Sequence, residues 1–291
     1  MKKKKIGLVL EGGGMRGAYT AGVMSWLVEN KFDFDVTLGI SSGALYGAMY
    51  ALRLDKKTMH LASTEKAAHF RNSGLGALLF EGQIIGYNHM FDTIFEEVGL
   101  PIWDIDKIKG EYYAGVYDLQ AQDTIWIPNT EMKPYGREYI KAACTLPVMG
   151  RAVKIEGKKY MDGGITTMIP VEKSMDLGCE YHLVVSTKSP TFIRKPQKRL
   201  TYRAMRLIYR KYPRLIESFE ARTEKYYQEV ELIDQLVDQK KAVKINPSVE
   251  MGVDRFGGTL EQYEALFKLA YEDCESKRSD IISLFEMAHE K

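Results

Sequence analysis

The sequence GISSG at positions 39–43 places Ser41 at the centre of a Gly-x-Ser-x-Gly pattern. The apolar run before it predicts a strand over 36–40, and the residues after it predict a helix over 42–54. A strand that turns sharply into a helix at such a pattern is typical of a nucleophile elbow, which presents the serine Oγ at the start of the helix. Ser41 is therefore the candidate nucleophile, and we expect Ser42 only to cap the helix.

Three consecutive glycines, Gly12, Gly13 and Gly14, precede the elbow by one strand-and-helix unit. They follow a predicted strand over 5–10 and open a predicted helix over 16–30. Backbone N–H groups of such a loop turn toward a pocket at a helix N-terminus, where the helix dipole adds positive potential. Acyl transfer needs donors of this kind for its oxyanion, so the loop predicts an oxyanion hole.

The same loop also matches the dinucleotide-binding fingerprint Gly-x-Gly-x-x-Gly, at Gly12, Gly14 and Gly17. In that fingerprint an acidic residue at the end of the second strand binds the ribose. Asp33 and Asp35 instead precede the second predicted strand. An oxidoreductase that binds NAD(P) stays open as an alternative.

The residue that accepts the serine proton has two interpretations. Asp162 followed by His182 satisfies the chain order Ser, acid, His of an α/β-hydrolase, although His182 lies in an apolar run that predicts a buried strand. Asp162 without a histidine is the other interpretation, because an aspartate in the sequence YMDGG either forms an ordinary turn or holds a carboxylate close to the serine. The residues alone leave both open.

The combination resembles the patatin-like phospholipases. Four blocks match in chain order, namely GGGMRG at 12–17, GISSG at 39–43, AACTLPV at 142–148 and DGG at 162–164. Cys144 stands in the third block where serine is usual, and we expect it not to contact the catalytic pair. The matching region spans about residues 5–185.

The resemblance implies an α/β fold, a three-layer sandwich with a mixed, mostly parallel central sheet and helices on both faces. It also implies a Ser–Asp dyad without a catalytic histidine, in which Ser41 is the nucleophile and Asp162 the general base. The flanking glycines would be Gly39 and Gly43 of the elbow and Gly163 and Gly164 of the Asp-Gly-Gly loop.

The resemblance further assigns Gly12, Gly13, Gly14 and Arg16 to the oxyanion hole, with Arg16 supporting the loop or meeting a lipid phosphate. Burial would raise the pKa of Asp162 from its ordinary value and make it a better base. The mechanism needs no metal or other cofactor, so we expect calcium-independent activity.

Length and composition indicate a soluble globular protein. The 291 residues, 45% hydrophobic and 27% charged, fit one domain over 1–291, with the motifs in a core over 5–185 and a mainly helical part over 186–291. No apolar run has the length of a membrane span, and the first one is too short for a signal peptide. Three widely spaced cysteines argue against a disulfide framework, so we expect a cytoplasmic location.

The segment 181–216 contains ten lysines and arginines and neither Asp nor Glu. Arg199, Arg203, Arg206 and Arg210 recur there at helical spacing beside an apolar strip. Basic amphipathic helices bind anionic membrane surfaces, so we expect peripheral contact with the inner membrane surface through these arginines. A solvated helix packed on the acidic remainder of the chain is the alternative. No nucleic-acid partner is expected, because no matching fold pattern accompanies the charge.

Together these patterns predict a serine acyl hydrolase that cleaves phospholipid, lysophospholipid or other fatty-acyl esters. Two alternatives stay open: a non-catalytic lipid-binding protein that uses the basic segment, and the dinucleotide-binding oxidoreductase.

Overall fold

The computed structural model describes residues 4–99, 105–108, 110–194 and 199–289, and residues 195–198 of the basic segment lie outside this part. Its strands are β1 (Lys5–Leu10), β2 (Val36–Ile40), β3 (Glu111–Asp118), β4 (Asp123–Pro128), β5 (Val153–Ile155), β6 (Lys158–Asp162), β7 (Cys179–Val185) and β8 (Ala242–Ile245). Its helices are α1 (Gly17–Glu29), α2 (Ser42–Ala51), α3 (Lys56–Ser63), α4 (Gly74–Glu81), α5 (Phe95–Glu97), α6 (Gly136–Cys144), α7 (Val171–Asp176), α8 (Arg199–Ile208), α9 (Pro213–Asp238), α10 (Leu260–Ser276) and α11 (Arg278–His289). Short 3₁₀ helices occur at Gly14–Arg16, Phe70–Asn72, Ile105–Lys107, Asn129–Glu131 and Gly163–Ile165, and a π-helix at His89–Ile94 precedes α5.

All of these strands join one mixed sheet in the order β5-β6-β3-β2-β1-β7-β8, with β4 on the remaining edge of β3. The strands from β3 through β2, β1 and β7 to β8 run parallel, whereas β4, β5 and β6 pair antiparallel with their neighbours. The carboxyl ends of β1 and β2 therefore open at the same edge of the sheet. The two glycine-containing turns that follow these strands must meet there.

Alternate residues of the strands face two apolar layers. Leu8 and Leu10 of β1 belong to a core that contains side chains of α1, α2 and α10, whereas Val9 packs in a second core with Tyr226 and Ile233 of α9. Helices therefore cover both faces of the sheet, and the predicted α/β sandwich is confirmed. None of the helices in the described ranges is long and apolar enough to cross a bilayer.

Local structure follows the sequence pattern closely. The predicted strands over 5–10 and 36–40 are β1 and β2, and the helix predicted over 42–54 is α2, which ends at Ala51. Helix α10 begins with a capping box, in which the side chains of Thr259 and Gln262 each accept a hydrogen bond from the backbone N–H of the other residue.

The middle of the sheet has a junction that the pattern did not predict. Gly115 of β3 pairs with Ile40 of β2, and the next residue, Val116, pairs with Asp162 of β6. Because β4 occupies the other edge of β3 at both positions, β2 and β6 share one edge and point toward each other. The turns at the ends of β2 and β6 consequently come together.

Candidate active site

Ser41 forms the sharp turn between β2 and α2. Its backbone has φ 54° and ψ −129°, a strained conformation for a residue with a side chain, and its side chain is almost fully buried. The flanking glycines allow the chain to close on itself, because a Cβ on Gly39 would lie 2.3 Å from the carbonyl of Gly43. A Cβ on Gly43 would in turn lie 2.6 Å from the Leu10 carbonyl oxygen of β1. The turn therefore has the geometry of a nucleophile elbow.

Asp162 ends β6 beside this turn and is fully buried. Burial raises the pKa of its carboxyl group, and the Ser41 side chain, the Gly164 N–H and the guanidinium groups of Arg222 and Arg255 oppose that shift. Oδ1 accepts a hydrogen bond of 2.7 Å from the Gly164 N–H, whereas Oδ2 has no partner of standard geometry. The Ser41 side chain is thus close enough to lower the pKa of this carboxyl group, although Oδ2 accepts no hydrogen bond of standard geometry.

Gly163 and Gly164 continue from Asp162 into a 3₁₀ turn that lies against the middle of the sheet. A Cβ on Gly163 would lie 2.7 Å from the carbonyl oxygen of Gly115, and one on Gly164 would lie 2.9 Å from Oδ1 of Asp162. The two glycines therefore let the loop approach both β3 and the carboxylate.

The N–H groups of the glycine loop differ in their partners. The Gly12 N–H donates to the Met168 carbonyl at 3.2 Å, and the Gly13 N–H donates to Ser42 Oγ at 3.0 Å. The Gly14 N–H makes no hydrogen bond with any residue in the described ranges, and Gly14 lines the cavities at Ser41, so this N–H is a candidate donor for a ligand. The expectation that Ser42 only caps α2 is wrong, because its hydroxyl anchors the glycine loop.

Two side-chain contacts fix the loop at its ends. Arg16 Nε donates to the Val253 carbonyl at 3.1 Å and the guanidinium lies 5.5 Å from the ring centre of Phe192. At the other end Glu11 forms a buried ion pair with Lys188. Burial raises the pKa of Glu11, but the charge of Lys188 and the hydrogen bonds from Lys188, Ser186 and the Thr187 N–H together outweigh it, so the pKa is held below its ordinary value.

Two chambers meet at Ser41. A polar chamber of about 330 Å³ is lined by the glycine loop, Asp162 and several cationic side chains. A narrow apolar chamber of about 90 Å³ extends between α2 and the helical segment 62–95, with Met49, Ile85 and Phe91 among its lining residues. Gly14, Ser41, Leu146 and Arg255 line both chambers.

Comparison with known proteins agrees with these features. Residues 8–97, which contain the glycine loop and the elbow, match the model of the patatin-like phospholipases. The resemblance to the patatin-like phospholipases is confirmed. Residues 212–286 match a second model, described as a domain of unknown function (DUF6363).

Curated relatives of this chain include the lysophospholipase nte1 of Aspergillus terreus, 28% identical over 189 residues, and the uncharacterized protein YjjU of Escherichia coli, 27% identical over 203 residues. These matches cover 64% and 66% of this chain, but 12% and 55% of the relatives' lengths. The crystal structure of VipD from Legionella pneumophila shares the fold, with a TM-score of 0.50 and 12% identity over 99% of this chain and 67% of that one. The chain is therefore similar to patatin-like phospholipases and to part of a lysophospholipase.

The interpretation with a catalytic histidine does not fit this structure. His182 is buried within β7 opposite Gly7, away from the carboxyl ends of the strands, and burial lowers its pKa to about 4. Its Nδ1 lies 3.0 Å from Ser174 Oγ. All five histidines fall within the described ranges, and none of them lines either chamber.

The dinucleotide interpretation requires an acidic residue that binds the ribose, and neither candidate lies near the glycine loop. Asp33 pairs with Arg53, and Asp35 accepts a hydrogen bond of 2.9 Å from the Ile6 N–H near the amino end of β1. Both carboxylates therefore lie at the edge of the sheet opposite the glycine loop, where they cannot bind a ribose held by it.

Cys144 lies closer to the site than its sequence context indicated. Its Sγ lies 3.2 Å from the Ser41 carbonyl oxygen, to which it donates, and it lines the apolar chamber. The expectation that Cys144 does not contact Ser41 or Asp162 is therefore wrong, because Cys144 contacts the backbone of Ser41.

The predicted basic helix exists as α8, which ends at Ile208 and therefore leaves Arg210 beyond its last turn. Arg199, Arg203 and Arg206 are exposed along a surface groove, and Arg206 pairs with Glu220 of α9 at 2.6 Å. Contact of these four arginines with a membrane stays a prediction.

Helix α4 presents an apolar surface that the sequence patterns did not identify. Leu75 and Leu79 are 77% and 80% exposed, and Phe70, Leu78, Phe80 and Ile84 are exposed around them. Asn72 and Ile85, which flank the segment that contains α4, line the apolar chamber. The surface therefore lies next to the chamber that opens at Ser41.

The sequence patterns also did not predict that α9 contributes buried charged residues near the site. Its buried residues recur at alternating spacings of four and three, and two of them are charged: Leu215, Phe219, Arg222, Tyr226, Glu229, Ile233 and Leu236. Glu229 accepts hydrogen bonds from the Met168 and Ile169 N–H groups, and burial raises its pKa to about 7. The sequence signal that could have identified these two residues is a charged residue at a position where the helix pattern is otherwise apolar.

Proposed function

We propose that this protein is a serine acyl hydrolase of the lipase or phospholipase type, with Ser41 as nucleophile and Asp162 as general base. The observation that carries the proposal is the position of Ser41 at a strained turn beside the buried, partly unpartnered carboxylate of Asp162. The patatin-like match and the lysophospholipase relatives support it. The proposal treats residues 1–291 as one domain, because Arg222 and Arg255 of the C-terminal part line the same chamber as Ser41.

In the first half of the reaction Ser41 Oγ attacks the ester carbonyl carbon while Asp162 takes its proton. The carbonyl oxygen becomes an oxyanion, and collapse of the tetrahedral intermediate breaks the ester C–O bond. The leaving alcohol takes the proton from Asp162 and departs. Water then attacks the acyl-serine and gives its proton to Asp162. Release of the fatty acid returns that proton to Ser41.

The oxyanion would be held by backbone N–H groups of the glycine loop. The Gly14 N–H is free for this role, whereas the Gly13 N–H must first leave Ser42 Oγ. Each donor of this kind is worth about 2.7–4 kcal/mol of barrier in a known serine hydrolase. Gly12 and Arg16 then act by positioning the loop, through the Met168 and Val253 carbonyls.

The two chambers support a division of the substrate into two parts. The fatty-acyl chain would lie in the apolar chamber, because burying its methylene groups there is favourable by about 0.8 kcal/mol each. The alcohol part would lie in the polar chamber. Phospholipids, lysophospholipids and other fatty-acyl esters fit this division. A non-catalytic lipid-binding protein would use the same chambers without turnover.

A cytoplasmic location with peripheral contact to the inner membrane surface is part of the proposal. The arginines of α8 would meet anionic lipid phosphates, and the exposed leucines of α4 would meet acyl chains next to the apolar chamber.

A fluorophosphonate probe followed by peptide mass mapping tests the proposal. We expect an adduct on Ser41 in the wild type and in Ser42→Ala, and none in Ser41→Ala. Hydrolysis of a lysophospholipid should disappear with the adduct, and a calcium chelator should leave the rate unchanged. Turnover that survives in a folded Ser41→Ala variant would refute the proposal. Binding of the lipid without any adduct or turnover would favour the lipid-binding alternative.

A further inference from the structure

The wall of the polar chamber carries more positive than negative side chains. Its cationic residues are Arg16, Lys188, Arg194, Arg222 and Arg255, and its carboxylates are Asp162 and Asp254. Most of the cations come from the C-terminal part of the chain, beyond the patatin-like match at 8–97. The excess of positive charge stands directly beside the nucleophile, because Arg255 and Ser41 line both chambers.

Two of these cations are already engaged by the protein. Lys188 is paired with the buried carboxylate of Glu11, and Nε of Arg16 donates to the Val253 carbonyl. Arg194 and Arg222 differ, because Nε of each is buried and has no hydrogen-bond partner in the described part of the chain. No carboxylate there forms a salt bridge with either of them or with Arg255.

Arg222 is the most buried of the three. Its side chain extends from α9 into the chamber and is 7% exposed, with the ring of Phe219 5.3 Å from the guanidinium carbon. Burial, and then the charges of Arg194 and Arg255, lower its pKa, and the charges of Asp162 and Glu229 oppose the shift only in part. A buried charge without a paired partner is costly, so the fold holds this guanidinium in the chamber at a cost in stability.

An anion with several oxygen atoms would satisfy these guanidinium groups. A guanidinium presents paired N–H donors in a plane and binds phosphate oxygens more strongly than neutral groups do. Three guanidiniums around one cavity suit a phosphate group better than a single carboxylate, since a phosphate offers more acceptor oxygens and more charge. The position beside Ser41 is where the alcohol part of an ester would lie.

We propose that Arg194, Arg222 and Arg255 form an anion subsite that holds the phosphate of the substrate's alcohol part, and that acyl esters with an anionic phosphate head are therefore preferred. This inference rests on the proposed hydrolase function for its link to catalysis. A substrate with a phosphate monoester head gains the most binding free energy from the subsite. A phosphodiester with a cationic group gains less, and an uncharged glycerol head gains nothing.

The first test compares three esters with the same oleoyl chain: lysophosphatidate, lysophosphatidylcholine and monooleoylglycerol, each in the same neutral detergent micelle. We expect kcat/KM for lysophosphatidate to exceed that for monooleoylglycerol by about tenfold or more, as charge-assisted hydrogen bonds would give. In Arg222→Met and in Arg255→Met this ratio should fall toward one. Arg214→Met is the matched control, because Arg214 is an exposed arginine on the same helix outside the chamber.

Arg222→Lys guards against a merely structural effect, because it keeps the charge and should restore part of the ratio. Circular dichroism and thermal unfolding check that each variant is folded. Equal kcat/KM values for the three esters in the wild type would overturn the proposal. So would a ratio that is unchanged in both folded methionine variants.

The second test measures binding without turnover, by calorimetry with glycerol 3-phosphate, inorganic phosphate and glycerol on the Ser41→Ala variant. We expect glycerol 3-phosphate to bind, glycerol not to bind, and Arg222→Met to weaken binding about tenfold. If no ester is hydrolysed while this binding persists, the hydrolase function fails and the anion subsite stands. If inorganic phosphate binds but the esters show no preference, the assignment to the substrate's head group is overturned.

Discussion

Ser41 and Asp162 lie at the ends of two strands that point toward each other along one edge of β3. Ile40, the residue before Ser41, pairs with Gly115, and Asp162 pairs with the adjacent Val116. A serine and a carboxylate that are 121 positions apart in the sequence are thereby placed together by backbone hydrogen bonds of the central sheet. The proposed pair is held by secondary structure and needs no flexible loop to assemble.

The rate should depend on pH through Asp162. The carboxylate is the active form of the base, and burial raises its pKa, so kcat/KM should fall on acidification at a higher pH than an ordinary aspartate would give. Arg222→Met removes a charge that lowers this pKa, and should move the acid limb to higher pH. Profiles of kcat/KM from acid to neutral pH measure both effects, with Arg214→Met as control. Asp162→Asn should lower kcat by about 10²–10⁴-fold. An acid limb that moves to lower pH in Arg222→Met would contradict the assignment.

Ser42→Ala should change the oxyanion hole. The hydroxyl of Ser42 accepts the Gly13 N–H in the resting structure, so its removal frees a second donor beside that of Gly14. We expect kcat to rise severalfold while the free energy of unfolding falls by about 1 kcal/mol, the usual worth of one hydrogen bond. Ser25→Ala, which removes a buried hydroxyl from α1, should lower stability without raising kcat. A large fall of kcat in Ser42→Ala would mean that the bond to Gly13 holds the loop in its active shape.

Chain-length preference should be set by the apolar chamber. Ala62 of α3 lines it and is almost fully buried, so Ala62→Phe fills part of the space intended for the acyl chain. We expect kcat/KM on a palmitoyl ester to fall at least about tenfold relative to a butyryl ester, since several methylene groups lose their burial. Rates on p-nitrophenyl esters of increasing length measure the change. The exposed Ala121→Phe is the size control. Equal losses on short and long esters would place the acyl chain elsewhere.

Membrane contact should depend on two surfaces in different ways. Reversing Arg203 and Arg210 to Glu should weaken binding to anionic vesicles by about tenfold or more, at roughly 1 kcal/mol per charge, and the loss should shrink at high salt. Replacing Leu75 and Leu79 by Asp should weaken binding to anionic and to neutral vesicles alike. Vesicle co-sedimentation measures both, with Lys268→Glu on the exposed side of α10 as control. Unchanged binding in the double arginine variant would contradict the role of α8.

The ion pair behind the glycine loop should matter for stability. Glu11 and Lys188 are both buried, so Lys188→Met leaves an unpaired carboxylate and should lower the free energy of unfolding by about 3–5 kcal/mol. Adding Glu11→Gln should restore part of this loss. Urea unfolding curves measure the difference, and Lys268→Met, which breaks an exposed pair, should cost about 0–1 kcal/mol. A loss of that small size in Lys188→Met would show that water or another group compensates the carboxylate.

The sequence by itself determined the local features of the site. Strands β1 and β2, the glycine loop and the elbow at Ser41 follow from apolar runs bounded by glycines, because backbone conformation at these turns is restricted by adjacent residues. The four motif blocks in order also indicated the patatin-like fold before any contact was visible. All of these features depend on residues that are close together in the sequence.

Only the tertiary structure decided which distant residues meet. The junction of β2 and β6 on β3 brings Asp162 to Ser41, whereas His182 lies in the middle of β7, and strand pairing between distant segments is not encoded in any one of them. The partner of the Gly13 N–H was equally invisible in the sequence. From the sequence, Arg222 could be recognised only as a charged residue among the apolar positions of a helix. The excess of positive charge in the polar chamber arises only when α9 packs beside the loops that carry Arg194 and Arg255.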